Sequence, residues 1–175
     1  MFQKGDLVVY QNMGVCLVKD VTEQDFGGAA GKKPYYLLEP TGARGTIYIP
    51  VDTDVFIRPV ISAAEAERLI DQIPSIRAEA FHSAALQELT QHYSAAFVSH
   101  DCEDLIQLVM SIYAKKRVRE QQNQKFGTVD EGFMKRAEEL LYGEFAVALG
   151  IPREDVPGYI AKRVKAAEKK KPADA

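Results

Sequence analysis

The residues able to do chemistry are few and poorly matched to one another. The histidines are His82, His92 and His100. His82 and His92 stand ten positions apart, whereas two ligands on one helix face need a spacing of four. The run His100-Asp101-Cys102-Glu103-Asp104 is dense in ligand-type side chains, but consecutive helical residues point in different directions. It reads more simply as a helix start, with acids at the positive end of the helix dipole. Cys16 alternates within an apolar strand pattern and reads as core filling. Gly27, Gly28 and Gly31 lack the GxGxxG spacing and the following helix that would cradle a phosphate. No Ser-His-Asp or paired-carboxylate arrangement stands out. We therefore expect no enzymatic activity and no cofactor or metal. A small hydrolase or metal enzyme using His100 and Cys102 is the rival from a different class.

One cluster does carry a chemical signal. Lys115, Lys116, Arg117 and Arg119 put four cations into five residues, with Lys125 just beyond. At the C-terminal end of a helical pattern they complement the dipole. They also have the charge density to contact DNA phosphates. Lys135 with Arg136, and the run Lys162-Arg163-Val164-Lys165, would extend the patch. The cluster lacks the interleaved aromatics that single-strand binders use.

The elements that would position these residues change period part-way along the chain. Residues 1–60 read as β. Leu7–Tyr10, Val15–Val18, Tyr35–Leu38, Thr46–Ile49 and Val55–Ile57 are short runs of β-branched and aromatic residues. Asn12-Met13-Gly14 marks the first reversal. Phe26–Pro34 reads as a loop, since it is Gly-rich and ends in a Pro that cannot donate to a ladder. Pro40–Gly45 is a further turn. Five short strands in so few residues suit a small barrel. In "GDLVVYQNMGVCLV" (Gly5–Val18) the glycines read as turn positions that flank the first strand, and Val8, Tyr10, Val15 and Leu17 as packing residues.

From Ser62 the period is helical. Ser62–Glu65 and Thr128–Glu131 have the form of capping boxes, and Ser99-His100-Asp101 suits another helix start. Expected inward faces are Leu69, Ile70 and Ile73; Leu86, Leu89, Tyr93 and Phe97; Leu105, Ile106, Leu108, Val109, Ile112 and Tyr113; and Phe133, Met134, Ala137, Leu140, Leu141 and Phe145. Pro74 ends or bends the first helix. Gly150 fits a C-cap and Pro152 the first turn of the last helix. The fold class is thus α+β: a small β-barrel over residues 1–60, then an all-α bundle of about five helices over 61–175, with a charged tail from about 168.

The bulk numbers fit this plan. The chain has 175 residues and a net charge of −3, enough for one domain or two small ones. Charge is uneven: −1 over residues 1–60, −6 over 61–110 and +4 over 111–175. A pI near 5.7 argues against a generic DNA coat protein, while the positive last third leaves room for a local phosphate contact. No apolar run approaches the roughly 20 residues of a membrane span, and the N-terminus has no signal-peptide pattern. Two cysteines far apart, Cys16 and Cys102, suit reduced thiols in a cytoplasm. A monomer is expected.

Three stretches together carry a resemblance: "F-x-x-GDLVVY-x-x-x-GV-x-x-V-x-D-V" (Phe2–Val21), "YYLL" (Tyr35–Leu38) and "IYIPVDT" (Ile47–Thr53). They resemble the RNA polymerase-interacting domain of the CarD/CdnL family, shared with the transcription-repair coupling factor. Lys125–Leu149, with "AEELLYGEFAVAL", is similar to the last part of the CarD helical domain. With both modules present and no length for a motor domain, the chain looks more like a CarD-type regulator than the coupling factor. The resemblance implies a Tudor/SH3-like barrel that docks on the RNA polymerase β subunit through its strand edges. It also implies a helical domain set against promoter DNA, modulating initiation. Family members place basic side chains at the polymerase contact, and the matching positions here are Gln24 and Tyr48. An exposed edge or face near Gln24, Phe26, Tyr48 and Pro50 is therefore the expected docking site. Those members also wedge a Trp against an unpaired base. This chain has no Trp; Phe81 and Tyr93 fall in that region, and both fit a bundle interior. DNA contact would then rest on Lys115, Lys116, Arg117, Arg119 and Lys125. The alternative is an interaction adaptor without DNA contact.

Overall fold

The β-branched and aromatic runs of the first third pair into one antiparallel sheet in the computed structural model of the chain, which describes residues 1–29 and 31–170. The chain divides into two compact units, Met1–Ile61 and Ser62–Ala175. The last five residues of the expected charged tail, 171–175, lie outside the described residues.

The first unit holds β1 (Leu7–Tyr10), β2 (Gly14–Gln24), β3 (Lys33–Pro40), β4 (Ile47–Pro50) and β5 (Ile57–Pro59) in the spatial order β4-β3-β2-β1-β5. A 3-10 turn, Gln11–Met13, joins β1 to β2. It ends at Gly14 with φ 88 and ψ −154, a region essentially closed to residues with a Cβ. Among the described residues no ladder joins β4 to β5, so the structure shows a five-stranded sheet with β4 and β5 at its edges, not a closed barrel. The core is Val8, Cys16, Val18, Tyr36, Leu38 and Ile49, with Phe2, Tyr10, Val21 and Ile57 packed around it.

Two strands depart from the sequence expectation. β2 runs on to Gln24 because a bulge between Val18 and Asp20 lets it keep pairing with β3. Pro34, expected in a loop, lies inside β3 opposite Glu23. Its carbonyl accepts from Val51 N–H at 3.1 Å. The side on which a Pro lacks a donor therefore faces the end of β4, where the ladder stops.

Cys16 is fully buried, and that burial pushes its thiol up to about 11. In the folded protein at pH 8 Cys16 should resist iodoacetamide and should label only as the sheet unfolds, monitored by mass spectrometry in a urea series. Rapid labelling without urea would contradict this placement.

The second unit holds α1 (Ala63–Gln72), α2 (Leu86–Ser94), α3 (Cys102–Gln121), α4 (Thr128–Leu149) and α5 (Val156–Lys170), with short 3-10 turns at 73–75, 95–97 and 153–155. Ser62 caps α1, its hydroxyl accepting from Glu65 N–H at 3.1 Å. Glu65 does not return the bond; its carboxylate holds Arg68. Asp101 caps α3 by accepting from Glu103 N–H. Gly150 closes α4 in the left-handed conformation, φ 67. Pro152 precedes the 3-10 turn that leads into α5. Arg163 on α5 clasps Asp71 of α1 through two bonds of 2.7 and 3.0 Å.

Three helix expectations need correction. Leu86 is 66% exposed, since it opens α2 before the buried row of Leu89 and Tyr93 begins. Tyr113 is about half exposed, one step past Ile112 on the solvent side of α3. Thr128 is no cap: Gly127 takes that position without a side-chain bond, and Asp130 turns inward.

Candidate docking face and basic cluster

Side chains alternate across a strand, so the bulge in β2 decides which residues share a face. Cys16 and Val18 point into the core. Unbroken alternation would send Asp20, Thr22 and Gln24 after them. The bulge reverses the phase, so that Val21 packs against the core and Asp20, Thr22 and Gln24 lie on the outer face. Their ladder partners are Leu37, Tyr35 and Lys33. Across the next ladder Tyr48 opposes Leu37 and Pro50 opposes Tyr35. Gln24, Tyr48 and Pro50, expected at the docking site, therefore belong to one outer face. Phe26 joins them from the loop.

This face is aromatic. Phe26 is 61% exposed and Tyr48 46%. The Phe26 ring lies edge-to-face with Tyr35 (centroids 4.9 Å apart) and with Tyr48 (5.5 Å). Such T-shaped contacts set positive ring edges against negative faces and hold the cluster together. Lys33 Nζ stands 5.8 Å from the Tyr35 centroid. Gln24 Nε2 donates to Thr22 Oγ1 at 3.1 Å. Sequence reasoning missed Tyr35 and Lys33. Their signal was the spacing of two from Leu37, which puts 33, 35 and 37 on the face opposite Tyr36 and Leu38.

The same rim offers backbone. Val51 N–H bonds Pro34 O, so in the antiparallel register residues 47, 49 and 51 direct their polar groups to β3. The N–H of Tyr48 and the carbonyls of Tyr48 and Pro50 then point outward along the free edge of β4.

The basic cluster fares differently. Lys115 is a correction: it is 1% exposed and cannot meet a phosphate. It follows Ile112 by three on the row Leu105, Leu108, Ile112, all buried, and its Nζ sits 2.9 Å from Asp130 Oδ1. Tyr93 Oη donates to the same oxygen at 2.5 Å. Burial and this bond to a carboxylate push the Tyr93 hydroxyl well above its ordinary pKa. Tyr93 is thus core, as expected of a bundle interior. Arg119, one turn on, is half-buried and donates Nη1 to Lys125 O at 3.1 Å, closing the loop between α3 and α4. Lys116 lies over the Phe126 ring, 5.6 Å from its centroid. It also faces Glu138, whose carboxyl is raised by burial and lowered by this cation. Arg117 and Lys125 remain exposed. Of the outlying cations, Arg163 is taken up by Asp71 and Arg136 lies over Phe97 at 4.7 Å.

Cys102 is buried, its thiol donating to Glu144 Oε1 at 3.0 Å. Among the described residues no three His, Cys, Asp or Glu side chains gather where they could hold a metal. No described helix is long and apolar enough to cross a membrane. Phe81 stacks flat on His92, centroids 3.7 Å apart.

Residues 2–61 match the family model of the CarD-like/TRCF RID domain. The first unit is a CarD-like/TRCF RID domain. This family in general interacts with the RNA polymerase β subunit. The matched span ends at the boundary between the two units, so it covers the sheet and leaves the helical unit to be read from its own residues. A comparison with curated proteins returned no match.

Proposed function

We propose that this chain is a cytoplasmic bacterial transcription regulator without catalytic activity, whose RID unit docks on the RNA polymerase β subunit. The observation that carries the reading is the coincidence of the RID domain with an exposed aromatic face and a free β4 edge in one module. Strand addition along β4 would draw affinity from the main-chain groups of Tyr48 and Pro50, with side chains of the face adding specificity. In this reading the sheet is the Tudor/SH3-like module of the resemblance. The protein acts as a monomer, and its helical unit approaches promoter DNA through Lys116, Arg117 and Lys125 to modulate initiation.

A second reading is favoured by one observation. Lys115 is consumed by Asp130 and Arg119 by the Lys125 carbonyl, which leaves a small cationic patch for DNA. An adaptor that binds polymerase without touching DNA fits that loss.

Gel-shift titration of promoter DNA with polymerase and the full chain separates the two. Changing Lys116, Arg117 and Lys125 to Ala should weaken the ternary complex about 10-fold, with a shallower salt dependence, as expected for lost phosphate contacts. An unchanged titration assigns the protein to the adaptor class. Failure of the wild-type chain to retain polymerase core enzyme in a pull-down would sink both readings.

A further inference from the structure

We propose that the outer face of β2–β4 recognises a cationic side chain of its partner, a guanidinium or ammonium group seated against the Phe26, Tyr35 and Tyr48 rings. The proposal rests on the docking reading above and names the chemistry of the group docked there. Three rings set edge-to-face within 5.5 Å present negative ring faces in several directions. Two of these rings are about half exposed or more. One ring of the set already has a cation over it: Lys33 Nζ lies 5.8 Å from the Tyr35 centroid, within the range of a cation–π contact. The surroundings agree in sign. Residues 20–54 contain six carboxylates against three cations; Glu39 pairs with Lys19, while Asp20 and Asp25 accept from the backbone N–H groups of Val21 and Gly27. An acidic partner side chain would meet carboxylates and the electron-rich faces of the rings. A cationic one meets complementary charge on both counts. Arg suits the site better than Lys, because its planar, weakly hydrated guanidinium can stack on a ring.

Two measurements on the full chain test this. In the first, affinity for RNA polymerase core enzyme is measured for single variants. Phe26→Leu and Tyr48→Leu keep apolar area but remove a ring, and each should weaken binding about 3- to 30-fold, the range of a desolvated cation–π contact. Tyr48→Phe should bind like wild type. Lys33→Ala, which removes the internal cation, should tighten binding, and Tyr48→Arg should weaken it most. Tightening by Tyr48→Arg together with weakening by Lys33→Ala would mean a carboxylate partner and would overturn the proposal, as would no response to either ring deletion.

The second measurement needs no polymerase. Backbone amide shifts are followed by NMR while the chain is titrated with a blocked Gly-Arg-Gly peptide, a blocked Gly-Glu-Gly peptide or a short single-stranded oligonucleotide. Shifts at Phe26, Tyr35 and Tyr48 should occur with the arginine peptide only and vanish in Tyr48→Leu. Response to the glutamate peptide or the oligonucleotide in its place, or to none of the three, overturns the proposal. If the arginine peptide binds and polymerase does not, the polymerase reading falls while the chemistry of the face stands.

Discussion

The Asp130→Ala variant is expected to lose roughly 3–5 kcal/mol of stability, the usual cost of stranding one member of a buried ion pair. Lys115 is 1% exposed and Asp130 2%. They meet at 2.9 Å, with Tyr93 donating to the same oxygen. Removal of the carboxylate leaves an ammonium and a phenol hydroxyl in the core without their acceptor. A domain holds only about 5–15 kcal/mol in all, so the loss should move the urea midpoint of the helical signal far to lower concentration. The paired change Lys115→Met with Asp130→Leu removes both charges and should recover most of the stability, because a buried pair replaced by apolar groups of similar volume is often neutral or better. An Asp130→Ala chain within 1 kcal/mol of wild type, by circular dichroism in urea, would show that the pair is hydrated.

Leu38→Ala is expected to remove roughly 2–5 kcal/mol from the sheet unit by leaving a cavity. Leu38 is fully buried among Val8, Cys16, Val18, Tyr36 and Ile49. A unit of about sixty residues buries a smaller share of its surface than larger domains and has little reserve. The sheet should therefore unfold well below the helical unit, and polymerase retention should be lost while the helical signal at 222 nm persists. Leu38→Met, nearly volume-conserving, should cost less than about 1.5 kcal/mol and keep retention. Full retention of polymerase by a Leu38→Ala chain with an unfolded sheet would move the docking site out of the RID unit.

The amino-acid sequence by itself determined what depends on near neighbours. Strand and helix periods separated the two units close to Ile61, since side-chain period switches there from two to between three and four. Ser62, Asp101 and Gly150 marked helix ends, because capping needs only the chain within a turn of itself. The ordered motifs of residues 2–61 identified the RID domain. Gln24, Tyr48 and Pro50 emerged from that order, and their sharing of one face was not visible in it. A one-residue bulge after Val18 reverses strand alternation, and nothing local to that stretch announces it.

Tertiary structure decided the fate of the charges. Lys115 and Lys116 are neighbours of the same type in a basic run, yet one is core and the other lies over Phe126. The phase of Lys115 with Leu105, Leu108 and Ile112 was legible. Its acceptor was not, because Asp130 belongs to the next helix and reads locally as an acid suited to a helix start. A buried cation is tolerated only where a partner from elsewhere in the fold reaches it within hydrogen-bond distance, and such a meeting of α3, α4 and α2 exists only once the helices have packed.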